Sequence, residues 1–216
     1  MTIASRTVAA LAALVLTLLA PSAAQATDRP VPDRSGTLTV DVAEDGTRFV
    51  FDEAPVFDDG YPAYGNGFVT QGYIYPAGTL DGHNGVNPDG SPEFPDLVVG
   101  TWTCYGSFIG NGAYTEEGPW VITTQVFDFG GAEVGGDTIV TVGYETPAGQ
   151  PIAVRAVVGG TGRFSSVGGD VDQITLGHNA SDGVDAGFTF DLNGIDRRAA
   201  ETVARVVRGS NTPQPI

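Results

Sequence analysis

Between clusters of Gly, Asp, Asn and Pro the chain repeats short runs rich in β-branched and aromatic residues, at about 36–42, 47–52, 67–75, 98–109, 120–127, 137–144, 152–158, 167–176 and 186–192. Runs of this length between turn formers predict β-strands. Successive strand side chains point to opposite sides, so alternation assigns faces. In 98–109 one face carries Trp102, Cys104, Gly106 and Phe108, and the other Thr101, Thr103, Tyr105 and Ser107. The first set is expected to be interior. Leu38, Val40 and Val42 share a face, as do Ile139 and Thr141, and Ala186, Phe188, Phe190 and Leu192 face away from polar Asp185, Thr189 and Asp191. This is the pattern of a sheet with one wet side. Asp45-Gly46 predicts a tight hairpin between the first two runs. Eight or nine strands joined by short Gly-containing links predict an antiparallel up-and-down barrel or a sandwich.

Two segments break the alternation. Residues 76–96 hold Gly, Pro, Asn and Asp with little periodicity and predict a long loop of the kind that can cover a barrel mouth. In 196–208, Ile195, Ala199, Val203 and Val206 recur at helical spacing, and Arg197, Glu201 and Arg205 are i, i+4 neighbours. A short C-terminal α-helix is expected there, capped by Asp196, with a tail to residue 216.

The first 26 residues have the layout of an export signal: Arg6, an apolar run from Val8 to Ala20, and Ala24-Gln25-Ala26 as a small-x-small cleavage site. This thirteen-residue run falls short of the ~20 apolar residues that span a bilayer. A secreted, extracellular chain is expected, with one domain over 27–195 and the helix and tail over 196–216. No membrane attachment is expected after cleavage, and with Cys104 as the lone cysteine the fold must be held by packing and backbone pairing instead of disulfides.

Composition fits that reading. The chain has 31 Gly and 14 Pro, too many breakers for a helical bundle, while 41% hydrophobic residues suffice for a core. Its net charge of -16 excludes a general electrostatic affinity for nucleic acid or anionic lipid. All ten basic residues are Arg, and four of them, Arg197, Arg198, Arg205 and Arg208, lie in the predicted helix, which should dock on the acidic body. An Arg-only, Ala- and Gly-rich composition suggests a bacterial source.

Gly159-Gly160-Thr161-Gly162 resembles a phosphate loop only superficially, because a strand follows it and Lys is absent. It predicts a glycine-rich hairpin with residues at positive φ and Phe164 packed back on the core. Gly136-Asp137-Thr138-Ile139, then Val157 to Phe164, then Gly168-Gly169-Asp170 and Gly187-Phe188-Thr189-Phe190 together resemble the core of dirigent proteins and allene oxide cyclases. The likeness spans about 98–195. It implies an all-β, eight-stranded antiparallel β-barrel with an apolar cavity, needing no bound cofactor. Plant dirigent proteins hold phenoxy radicals for stereoselective coupling, and the cyclases steer ring closure of a fatty-acid epoxide. In both, the pocket fixes the conformer of a substrate already able to react. The family's dimers and trimers imply self-association into a homo-oligomer. The first half of the chain matches too little for any catalytic residue to be carried over.

Candidate site residues therefore come from alternation. Arg155 interrupts an apolar strand: pointing inward it can bind a carboxylate or polarise an oxygen, with Asp137 or Asp172 as its acid, and pointing outward it pairs with a surface acid. Tyr73 and Tyr75 share one face, and Trp102, Cys104 and Phe108 another, as substrate-binding wall or ordinary core. Cys104, the lone cysteine, is either buried and inert or kept for a purpose. His83 and His178 lack zinc-site spacing, and no metal is assigned. Asp81, Asn84, Asn87, Asp89 and Asp96 offer Ca²⁺ ligands without the spacing of an EF-hand, and Asn179-Ala180-Ser181 is a glycosylation sequon. The expected function is binding a small apolar or aromatic molecule and directing its cyclisation or coupling, as a cofactor-free isomerase or cyclase. The alternative is a non-catalytic carrier or structural barrel. A cavity of roughly 300 Å³ or more favours the first, and a centre filled by Trp102, Phe108, Phe188 and Phe190 the last.

Overall fold

A computed structural model describes Pro32 and residues 36–130, 134–147, 149–150 and 152–194. The expected export signal and C-terminal helix lie outside the described residues. Nine strands follow the alternating runs: β1 (Thr37–Glu44), β2 (Val50–Phe51), β3 (Gly67–Pro76), β4 (Gly100–Phe108), β5 (Val121–Asp128), β6 (Thr138–Glu145), β7 (Ala153–Gly160), β8 (Gly168–His178) and β9 (Val184–Asn193). From β3 to β9 each strand pairs antiparallel with the next, and β1 pairs with both β9 and β3. That double pairing closes an eight-stranded barrel and leaves no edge among its members. β2 is an appendage, pairing two residues with β3.

The expected hairpin at Asp45-Gly46 does not form. Asp45 instead accepts the Thr47 amide at 3.0 Å and caps a 3₁₀ turn, Gly46–Arg48. Gly46 lies so close to the 181–183 backbone that a Cβ would overlap the Ser181 carbonyl oxygen. The chain thus leaves β1 toward the β8–β9 connection, and β1 finds its partners far away in sequence.

The glycine-rich hairpin is as expected. It joins β7 to β8 through the 3₁₀ turn Gly162–Phe164, with Phe164 buried against Phe129 at 5.5 Å. Gly162 has φ +54°, and a Cβ there would overlap the Gly136 carbonyl.

The interior is layered. One end is packed with Leu38, Phe127, Ile139, Val171, Phe188 and Phe190, with Phe127 edge-on to Phe188 and Phe190 at 4.9 and 5.0 Å. Burying each such side chain stabilises by about 1.5–3 kcal/mol, and the aromatic pairing adds roughly 0.5–1.5. Toward the other end polar residues enter the interior.

The long loop does not cover a mouth. It forms a strap on the outer wall, where Leu80 and Val86 pack with Ala43 and Tyr75 in a satellite core. Tyr75 Oη donates to Gly85 O at 2.7 Å, Tyr73 Oη to Gly90 O at 2.8 Å, and the Leu80 amide to Asp41 Oδ2 at 2.9 Å. Asp185, expected on a wet face, is therefore buried with Asp41 under the strap.

Candidate functional site

Arg155 points inward. It lies on β7 between inward Ala153 and Val157 and is 1% exposed. Gly143 on β6 makes room, since a Cβ there would stand 3.1 Å from Arg155 Cβ and Cγ. The guanidinium donates to Tyr144 O and Thr123 O, each at 3.1 Å, and Nε to Thr141 Oγ1 at 3.4 Å.

The acid beside it is Glu145, at 3.6 Å. Neither proposed partner is there. Asp137 precedes β6 while Glu145 ends it, so the two lie at opposite ends of the strand, and Asp137 binds Arg163 at 3.4 Å. Asp172 falls on the exposed face of β8, one residue from inward Val171 and Gln173. Alternation puts it in water.

Glu145 gathers an interior network. Its Oε1 accepts from Thr123 Oγ1 at 2.5 Å and Gln125 Nε2 at 2.9 Å, with Cys104 Sγ at 3.6 Å, while Oε2 accepts from Gln173 Nε2 at 2.9 Å. Such networks are costly when incomplete and rigid when satisfied. Arg155 itself is held below its ordinary pKa, chiefly by burial.

A second carboxyl faces the same space. Glu44 ends β1, 7% exposed, and Oε2 accepts the Val184 amide at 2.8 Å. Burial is the main cause that raises its pKa, with Glu145 and Asp45 pushing the same way. Cys104 is buried, and its thiol is pushed well above the ordinary range by burial and then by Glu145. A thiolate nucleophile is thereby disfavoured.

Aromatic rings rim this end. Phe49 stacks on Phe68 at 5.3 Å, Phe68 meets Phe108 at 5.2 Å, and Phe108 meets Trp120 edge-on at 5.8 Å. Inside the rim, Trp102, Cys104 and Phe108 line a cavity with Glu44, Glu145 and Gln173. The indole N–H groups of Trp102 and Trp120 are buried and without a hydrogen-bond partner among the described residues. The cavity measures about 50 Å³, far below the roughly 300 Å³ of a drug-sized pocket. That is room for a few waters.

Tyr73 and Tyr75 face away from this cavity. On β3 the inward positions are Phe68, Thr70, Gly72 and Ile74, so both tyrosines lie on the outer wall under the strap. Burial raises the Tyr75 phenol to about 12, and it serves as a donor to the strap.

The remaining candidates separate. Asn179 is buried and donates to Glu44 O and Asp185 Oδ1, so the folded sequon does not present its amide to solvent. Among the described residues no three His, Cys, Asp or Glu side chains cluster in a metal-binding geometry. Within the strap, Asp89 accepts from Ser91, and the Asn84 amide donates to Glu93.

Comparison of the sequence with protein-family models gives no match, and comparison with curated proteins gives none. Solved structures do match in fold. A pterocarpan synthase dirigent protein, PsPTS1, superposes with a TM-score of 0.54 at 17% identity, covering 74% of this chain and 95% of its own. A second, GePTS1, gives 0.49 at 18% identity over 72% and 81%. A pyocyanin demethylase gives 0.47 at 15% identity over 73% and 99%. The chain has a dirigent-like barrel fold at low identity.

Proposed function

We propose that this chain is an exported barrel whose aromatic-rimmed end binds a small apolar or aromatic molecule and orients it for cyclisation or stereoselective coupling. The observation that carries the reading is the buried carboxyl of Glu44 beside the Glu145–Arg155 pair, open to that rim. A barrel built only to be stable gains more from an apolar filling than from buried charges, which cost several kcal/mol each to desolvate. Glu44, whose pKa burial raises, stands where it can exchange a proton with a ligand or bind its polar group. The unpartnered indole N–H groups of Trp102 and Trp120 suit a ligand oxygen. The Glu145 network supplies rigidity. To admit a ring, the side chains of Phe49 and Trp120 must swing from the rim.

A second reading rests on the cavity volume. At about 50 Å³, with Phe188 and Phe190 filling the centre, the barrel also suits a structural role without a ligand. Native mass spectrometry of the chain purified from the medium of its host separates the two. A co-purifying apolar compound is expected. A bare mass in repeated preparations overturns the ligand reading and leaves the structural one.

A further inference from the structure

The charge balance of the mouth restricts its ligand, given the ligand-binding reading above. Arg155 is the cation inside the barrel among the described residues, and its groups are engaged by Tyr144 O, Thr123 O, Thr141 and Glu145. Arg48 and Arg163 are held by Asp45 and Asp137. Among the described residues, a ligand carboxylate entering the mouth thus meets two glutamates and no free guanidinium, with the two neutral indole N–H groups to receive it.

Glu44 has the opposite need. It is buried, it accepts one backbone amide, and the charged groups facing it, Glu145 and Asp45, are acids. A buried carboxylate without a counter-charge is costly, and a ligand that brings one recovers that cost. The rim beside it is four rings in contact, Phe49, Phe68, Phe108 and Trp120, whose faces attract cations. We propose that the mouth binds a monocation, an amine or quaternary ammonium on an apolar or aromatic body, with Glu44 as its counter-ion. Carboxylate ligands are excluded by the same groups.

The raised pKa of Glu44, due first to burial and then to the acids Glu145 and Asp45, is consistent with this assignment. From the elements packed around it, the groups that face Glu44 are Asp45 and Thr70, the Val184 amide, Cys104, Glu145 and, through the wall, Asp185. None of them is a cation.

The two Trp of the chain, Trp102 and Trp120, both line the mouth, so intrinsic emission reports its occupancy. Three probes of similar size are titrated into the full chain at pH 8: benzyltrimethylammonium, benzyl alcohol and benzoate. The cation is expected to bind at least tenfold more tightly than the alcohol, and benzoate more weakly still. Glu44→Gln, which keeps an acceptor for the Val184 amide, is expected to abolish the preference. If that variant does not fold, the wild-type chain suffices: affinity for the cation rises with pH as Glu44 ionises, while that for the alcohol stays flat. Equal binding of the alcohol or benzoate, or a pH-independent cation affinity, overturns the charge assignment and leaves the ligand site standing. No response to any probe overturns both.

Discussion

Inside the barrel the guanidinium of Arg155 stands 3.6 Å from the Glu145 carboxylate, its side chain fully buried and that of Glu145 14% exposed. A pair in that setting owes its position to mutual compensation, because either charge alone is left desolvated. Replacing Arg155 by Met leaves Glu145 without its cation and is expected to cost about 3–5 kcal/mol in chemical denaturation. Glu145→Gln costs less, since a Gln oxygen still accepts from Gln125 and Arg155 keeps its two carbonyl partners. The order of the two variants is the test. Equal costs would mean the pair is held by packing alone.

The glycine-rich hairpin gives a sharper steric test. Gly162 has φ +54° and faces the Gly136 carbonyl, whereas Gly159 has φ +145° with open space where a Cβ would go. Gly162→Ala is expected to cost more than the ~1–2 kcal/mol of a left-handed residue, because overlap adds to strain. Gly159→Ala carries strain alone. Thermal denaturation of the two variants should therefore rank Gly162→Ala as the less stable.

Asp185 sets a pH dependence. Burial under the strap is the main cause that raises its carboxyl to about 7, with Asp41, Glu93 and Glu44 adding to the effect against the Asn179 hydrogen bond. Its folded pKa exceeds the unfolded value near 3.8, so the fold binds the proton more tightly than the unfolded chain between those values. The stability it contributes is full below about pH 4 and is lost as pH rises through about 7. Asp185→Asn is expected to flatten that decline and to raise the melting temperature at pH 8. An unchanged pH profile would place the titrating group elsewhere.

Cys104 should be silent in the native state. It is 2% exposed, with its thiol raised well above the ordinary range. Iodoacetamide is expected to leave it unmodified at pH 8 and to label it fully in denaturant. Rapid labelling of the folded chain would show that the mouth opens to admit small molecules without a ligand.

Alternation made much of the barrel legible in the sequence. Trp102, Cys104 and Phe108 are interior as their parity predicts, and the Gly159–Gly162 hairpin lies where its glycines require. The site was less legible because the decisive acids lie at strand ends. Glu44 continues the parity of Leu38, Val40 and Val42, and Glu145 that of Ile139 and Thr141, each just past the point where the run of apolar residues stops. Extending the parity through Glu44 and Glu145 would have found both. Tyr73 and Tyr75 misled for another reason: the strap covers the outer wall of β3, so both faces of one strand are buried and burial no longer marks the lumen. That contact spans loop and wall and has no periodicity to reveal it.

The claim that the rimmed end is a ligand site is tested most directly by a crystal structure of the chain grown with saturating 1-naphthol, a neutral probe. Phe49 and Trp120 are expected to swing outward and the naphthol rings to insert beside Phe68 and Phe108, with the hydroxyl hydrogen-bonded to Glu44. A mouth still closed around its 50 Å³, with naphthol absent or seated in the outer groove lined by Phe51, Val69 and Tyr105, would contradict it.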